Sequence, residues 1–240
     1  MSLDWSFECV AQNHGNAENE KSTFLKRVTR CFRASVTPCD AFVRQPLAWM
    51  SGRRWKFVTA FMRAPLTVGA IWPSSEALSR AVVEACDIGP SDTVVELGAG
   101  TGNFTQLLIE RLDQTGRLVA LELSATNADV LRRRFPDLEI HFDSAEHLAK
   151  YVQPRTARCV VSGLAWGNMM PATQDRILSA IMTALAPGGQ FVAFAYGHAR
   201  YYPTTVRFRR RLLREFTRVE ITPMIWRNLP PAYVYRCWRS

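Results

Sequence analysis

The chain has 240 residues, 48% of them hydrophobic, and a formal charge of +9, which suits one domain with an extension. No stretch reaches the ~18 uninterrupted apolar residues of a membrane span, and the N-terminus lacks the basic and apolar regions of a signal peptide, so a cytoplasmic protein is expected. The positive charge favours polyanionic partners, either nucleic acid or an anionic bilayer. Cys9, Cys31, Cys39, Cys86, Cys159 and Cys237 are scattered without a C-x-x-C or a nearby His pair, so they read as reduced thiols and no metal site is expected.

Residues 1–20 carry no periodicity and are expected to be disordered. In residues 21–33, Phe24, Leu25, Val28 and Phe32 recur at helical spacing, with Lys26, Arg27, Arg30 and Arg33 largely elsewhere. A second basic amphipathic helix is predicted over residues 53–62, with Trp55, Val58, Phe61 and Met62 on one face. Helices of this kind lie in a bilayer interface; the plain alternative is packing on the domain with the charges solvated. These patterns divide the chain into an extension, residues 1–50, and a main domain, residues 51–240. Pro73, Ser74 and Ser75 precede a helical pattern through Leu78, Val82 and Val83, which reads as an N-cap or as a loop closing over a ligand.

Residues 93–102 then read Thr-Val-Val-Glu-Leu-Gly-Ala-Gly-Thr-Gly. Val94, Val95 and Leu97 predict a short buried strand, the glycines a tight turn, and residues 105–112 a helix. Gly98, Gly100 and Gly102 can take positive φ and bring bare backbone against a ligand. A dinucleotide fold wants G-x-G-x-x-G, but the third position falls on Asn103. What stands instead is Glu-x-Gly-x-Gly-x-Gly, starting at Glu96.

Residues 117–123 form a second apolar run ending in Glu122 and Leu123, about where a ribose-binding carboxylate is expected in a nucleotide-binding βαβ unit. A third predicted strand ends in Asp143, Ser144 and Ala145. Residues 158–164 predict a fourth, emptying into Ala165, Trp166, Gly167 and Asn168, where substrate is expected beyond the strand's carboxyl end. A helix over residues 171–185, a Pro187-Gly188-Gly189 turn and a strand over residues 190–196 follow. Residues 207–218 are the most basic stretch, and residues 226–232 form a loop before a last strand at 233–238.

The glycine motif resembles the first motif of class I S-adenosylmethionine-dependent methyltransferases. That resemblance implies an α/β, Rossmann-like fold with a central, mostly parallel seven-stranded sheet and helices on both faces, plus the N-terminal amphipathic helices. It also implies S-adenosylmethionine as cofactor, with Glu96 facing the amino group of its methionine part and Asp143 reaching its adenine. The expected cofactor set is Glu96, Gly98, Ala99, Gly100, Gly102, Glu122, Leu123, Asp143, Ser144, Ala145, Ser162, Gly163 and Leu164, with Pro73, Ser74 and Ser75.

More narrowly, Gly69-Ala70-Ile71-x-Pro73-Ser74-Ser75, Ser162-Gly163-Leu164, Phe194-x-Tyr196-Gly197 and Arg227-Asn228-Leu229-Pro230-Pro231-Ala232 resemble the bacterial phospholipid N-methyltransferases. Those enzymes methylate phosphatidylethanolamine, and relatives act on ornithine lipids. The resemblance implies a lipid amine as acceptor and a peripheral place on the inner face of the cytoplasmic membrane. Tyr196, Trp166 and His198 are then the candidate catalytic residues, and Arg227 and Asn228 candidate grips for the substrate phosphate. Two departures flank the expected pocket: Ala165 replaces the family's proline after Gly-Leu, with the bulky Trp166 next, and His198 stands where a proline commonly follows Tyr-Gly. An enzyme like the rRNA adenine dimethylases, with Trp166 stacking a base, and a small-molecule methyltransferase are the competing readings.

Overall fold

A computed structural model describes residues 75–240. Both predicted amphipathic helices, the expected boundary near residue 50, and Pro73 and Ser74 lie outside the described residues. Within them the elements are α1 (Glu76–Glu84), β1 (Thr93–Leu97), α2 (Asn103–Ile109), β2 (Arg117–Glu122), α3 (Ala125–Arg134) and β3 (Glu139–Phe142). Then come β4 (Ala157–Ser162), α4 (Pro171–Ala184), β5 (Leu185–Tyr196), α5 (Pro203–Glu215), β6 (Arg218–Ile221) and β7 (Ala232–Trp238). Short 3-10 turns cover Ala145–Lys150, Trp166–Asn168 and Gly197–Ala199.

The seven strands form one sheet in the order β3-β2-β1-β4-β5-β7-β6, parallel except for β7, which runs against both β5 and β6. The inner strands are covered on both faces, which explains their continuous apolar runs in place of alternation. On one face Val94, Leu118, Cys159, Val161, Val192 and Phe194 pack with α1 and α2. On the other, Val95, Val119, Val160 and Phe191 pack with α4 and α5. Cys86, Cys159 and Cys237 are buried free thiols.

Local chemistry sets the helix ends. Ser75 Oγ accepts the Leu78 amide at 3.2 Å, capping α1 as its sequence predicts. Ser124 caps α3, whose last turn carries Arg132, Arg133 and Arg134 against the helix dipole. Helix α2 begins two residues and ends three residues before its predicted limits, because Gly102 in the left-handed conformation already serves as its N-cap. Helix α5 starts at Pro203, four residues before the basic stretch, since proline at the first turn lacks only an amide that has no helical partner. The β5 ladder shifts between Ala157↔Leu185 and Cys159↔Gln190, so the predicted Pro-Gly-Gly turn is an irregularity within the strand. Among the described residues no helix is long and apolar enough to cross a membrane.

Candidate active site

Neighbours β2 and β4 leave β1 in opposite chain directions, so a crevice opens beyond the carboxyl end of β1, the place where open α/β sheets bind ligands. Its floor is backbone. Gly98, Gly100 and Gly102 take φ of 73°, 59° and 89°. The Gly98 amide donates to Leu121 O at 2.8 Å, tying the turn to β2, and the Gly163 amide donates to Leu97 O at 2.8 Å, tying the loop after β4 to β1. A Cβ at Gly163 would lie 2.4 Å from Gly98 O, whereas one at Gly100 would meet nothing within 4 Å. The crevice is therefore tight where the two loops meet and open over Gly100.

Glu122, at the end of β2, receives the Gly100 amide on Oε2 at 2.7 Å and the Ser124 amide on Oε1 at 2.8 Å. Each oxygen keeps a second lone pair, enough for a ribose diol. Glu96 is fully buried: Oε2 accepts the Thr105 hydroxyl at 2.6 Å and Oε1 has no partner. Burial, partly opposed by the Thr105 bond and reinforced by Glu122, pushes this carboxyl up to about 8. A buried carboxylate oxygen without a donor is a place for an ammonium group.

The adenine side differs from expectation. Asp143 accepts the Ser144 amide (2.7 Å) and His147 Nδ1 (2.6 Å) on one oxygen, and the Tyr151 hydroxyl (2.7 Å) and Lys150 Nζ (3.1 Å) on the other. These bonds, His147's first, hold it well below the usual carboxylate range. Its side chain is thus committed to its own turn, with Ser144 capping the 3-10 turn through the Glu146 amide and Ala145 buried behind it. Sequence reading passed over Phe142, 54% exposed at the end of β3, which pairs in register with Glu122, the residue before Leu123, itself 68% exposed. An exposed pair of apolar side chains at neighbouring strand ends suits a flat aromatic ring.

Beyond β4, Ser162 Oγ accepts the Leu164 amide at 3.3 Å and the Trp166 indole N–H at 3.0 Å. Trp166 does not present itself to substrate. It is 1% exposed, stacks on Phe208 with centroids 4.3 Å apart and meets Phe191 edge-on, because the 3-10 turn carries its ring into the core. Asn228 is likewise a loop anchor: its Oδ1 accepts the Ser75 amide at 3.1 Å and its Nδ2 donates to Pro230 O at 2.6 Å. That bond joins the Pro-Ser-Ser and Arg-Asn-Leu-Pro-Pro-Ala segments directly. Arg227 is exposed beside it. Half-buried Tyr196 stacks with His198 (5.6 Å) and meets Phe194 edge-on, while Tyr202 meets His198 edge-on. Burial raises the Tyr196 phenol and lowers the His198 imidazole.

The Methyltransferase domain model matches residues 94–189, the span that holds these loops. An ornithine lipid N-methyltransferase from Singulisphaera acidiphila is 34% identical over 188 residues, covering 75% of this chain and 93% of that protein. This chain is a class I S-adenosylmethionine-dependent methyltransferase of that enzyme's family. Ribosomal RNA small subunit methyltransferase A from Thermotoga maritima is 33% identical over 97 residues, but the match spans only 33% of its length. Among solved structures, geranyl diphosphate C-methyltransferase from Streptomyces coelicolor, in complex with S-adenosyl-L-homocysteine, superposes with a TM-score of 0.56 at 14% identity, covering 68% of this chain and 76% of that one. An rRNA methylase from Streptococcus thermophilus gives 0.51 at 20% identity, covering 68% and 94%.

S-adenosylmethionine is the methyl donor, and the residues present fit it. The unpartnered Glu96 oxygen, the glycine floor open over Gly100, the Glu122 carboxylate and the exposed Leu123 and Phe142 suit in turn an ammonium, a close-lying chain, a diol and an aromatic ring.

Proposed function

We propose that this methyltransferase methylates the amine of an aminolipid headgroup, of the ornithine lipid or phosphatidylethanolamine type, while seated peripherally on the inner face of the cytoplasmic membrane. The observation that carries this reading is the 34% identity extending over 93% of an ornithine lipid N-methyltransferase, against one third of the rRNA enzyme. The burial of Trp166 supports it too, since the nucleic-acid reading needs an aromatic presented beyond β4 for a flipped base.

When bound, S-adenosylmethionine supplies a methyl group on a positive sulfur that leaves as a neutral thioether. Glu96 would hold the cofactor's ammonium end and Glu122 its diol, and the Gly98–Gly163 contact fixes the distance between the two loops. An alkylammonium has no lone pair, so the headgroup must lose a proton before its nitrogen can attack. His198, whose imidazole partial burial holds below its ordinary value, accepts that proton on a ring nitrogen. Tyr196 keeps its phenolic proton and orients the amine, and Arg227 faces the acidic part of the headgroup. Alignment in a partly dry crevice provides most of the acceleration.

His198→Gln is expected to lower kcat about 10²-fold at pH 7 and to flatten the acidic limb of the pH–rate profile. An unchanged profile would remove His198 from the proton path. The function itself is tested by transfer of labelled methyl to vesicles containing phosphatidylethanolamine or ornithine lipid, offered beside total RNA and small amines. Label in lipid is the expected result. Label in RNA or small amines alone would overturn the reading.

A further inference from the structure

Large apolar side chains left in water cluster on the substrate side of the crevice. Met170 (74% exposed), Tyr201 (83%), Tyr202 (46%), Trp226 (77%) and Leu229 (40%) come from three loops: after β4, after β5 and before β7. Strand pairing puts all three at one end of the sheet, since β4 and β5 run in parallel and the end of β5 pairs with the start of β7, Tyr196↔Ala232. The loops are also bonded to one another. Thr204 Oγ1, in the first turn of α5 directly after the second loop, donates to Gly167 O at 2.5 Å, and the Gly197 amide donates to Pro231 O at 2.8 Å. Their charges have one sign: residues 163–170, 197–202 and 222–231 carry Arg200 and Arg227, both exposed, and no Asp or Glu.

We infer that these three loops form a bilayer-docking surface, which seats the crevice on an anionic lipid headgroup layer with Tyr201, Tyr202 and Trp226 at the interface. The inference rests on the aminolipid reading for its purpose but stands on its own observations. Monomeric proteins rarely leave aromatic and aliphatic side chains clustered in water without a partner for them. Tyr and Trp suit the boundary where a ring meets acyl chain and its polar edge meets water. Arginines without acids match anionic phosphates and would repel a basic partner. A protein partner of acidic character or RNA would share the charge match, but neither needs five exposed apolar side chains beside a lipid amine's target. Docking here carries a headgroup to the carboxyl end of β4 without lifting its acyl chains far from the membrane.

The test is vesicle partition of the full chain, using phosphatidylethanolamine with phosphatidylglycerol, at about 0.1 M and about 1 M salt, where the Debye length falls from ~10 Å to ~3 Å. Wild type is compared with the Tyr201→Ser, Trp226→Ser double variant and with Ile109→Ser, an exposed apolar residue at the far end of α2. Affinity for S-adenosylmethionine, measured by calorimetry, checks that each variant is folded. The expected result is at least a ~10-fold weaker partition for the double variant at both salts, with cofactor affinity and Ile109→Ser partition like wild type. Partition unchanged in the double variant, or equally weakened in Ile109→Ser, would overturn the surface. Wild type that fails to partition would overturn it as well, the outcome if residues 1–74 of the chain or a protein partner occupy the loops. A short-chain, monomeric aminolipid separates the two readings. If it is methylated equally by wild type and double variant, the function stands whatever the vesicles show; if no lipid of any length is methylated, the function falls while partition still decides the surface.

Discussion

Glu96→Gln is expected to stabilise the ligand-free enzyme at pH 8 and at the same time to cripple its hold on S-adenosylmethionine. In the folded chain the Glu96 carboxyl is raised from 4.5 to about 8, mainly because burial penalises its charge. Between those values the folded state binds a proton that the unfolded state has released. Stability therefore falls as pH rises, by about 1.4 kcal/mol per unit from this group, and levels off above pH 8. Gln does not titrate, and its amide oxygen can still accept the Thr105 hydroxyl, so the variant should lose that slope. Denaturant unfolding of both proteins at pH 5, 6, 7 and 8, with all conditions otherwise matched, checks it. The cofactor reverses the balance. An ammonium placed at the unpartnered Oε1 favours the carboxylate, so binding below pH 8 should release a proton, and wild-type affinity should rise with pH until the cofactor's own amino group deprotonates near 8. Removing one member of a buried charged pair costs roughly 2–5 kcal/mol, so Kd for the variant should rise at least 30-fold. A variant that binds within threefold of wild type, or that keeps the pH slope, would show that Glu96 is not the ammonium ligand.

The parts of this molecule legible in the sequence are those whose signals are local. A buried strand followed by Gly98, Gly100 and Gly102 announces its own turn, and Glu122 ends the next strand at a spacing set by the intervening helix. Ser75 and Ser124 cap from within three residues of their amides. Even the saturation of Asp143 was available in principle, because His147, Lys150 and Tyr151 follow at four, seven and eight residues, within reach around a single turn. Strand β6 went unread for its brevity: Arg218-Val219-Glu220-Ile221 alternates polar and apolar, but over only four residues at the edge of the sheet, directly after a basic helix whose charge dominates the pattern. The roles of Asn228 and Trp166 were hidden for a different reason. Asn228 bonds a residue 153 positions away, and Trp166 stacks on Phe208, which belongs to the helix after the next strand. A polar residue in a narrow motif and an aromatic beside a strand end look the same in sequence whether they face a ligand or the core. Phe142 shows the converse, an apolar residue in an apolar strand whose exposure is decided only by where the strand stops.

The position of Trp166 makes a second large effect predictable, and the effect falls on stability instead of chemistry. Trp166→Ala removes a fully buried indole from between Phe208 and Phe191 and takes the N–H donor from Ser162 Oγ, itself fully buried. Truncations of this size cost about 3–5 kcal/mol, a drop in Tm of roughly 6–20 °C for a chain of this length. The backbone around it adds to the cost, since Gln174 Nε2 donates to Trp166 O at 2.6 Å from inside α4, and a collapsing cavity would pull on that bond. Trp166→Phe keeps an aromatic face for Phe208 and loses only the hydrogen bond and part of the volume, so it should cost less and leave kcat within a few-fold of wild type. An indole that gripped a methylated ammonium or stacked a base would behave in the opposite way, with near-normal melting and a collapsed kcat/KM in both variants. Thermal unfolding and steady-state kinetics on the same two preparations therefore decide whether Trp166 belongs to the core, and with it whether the segment after β4 shapes the pocket through backbone held in place rather than through a side chain offered to the substrate.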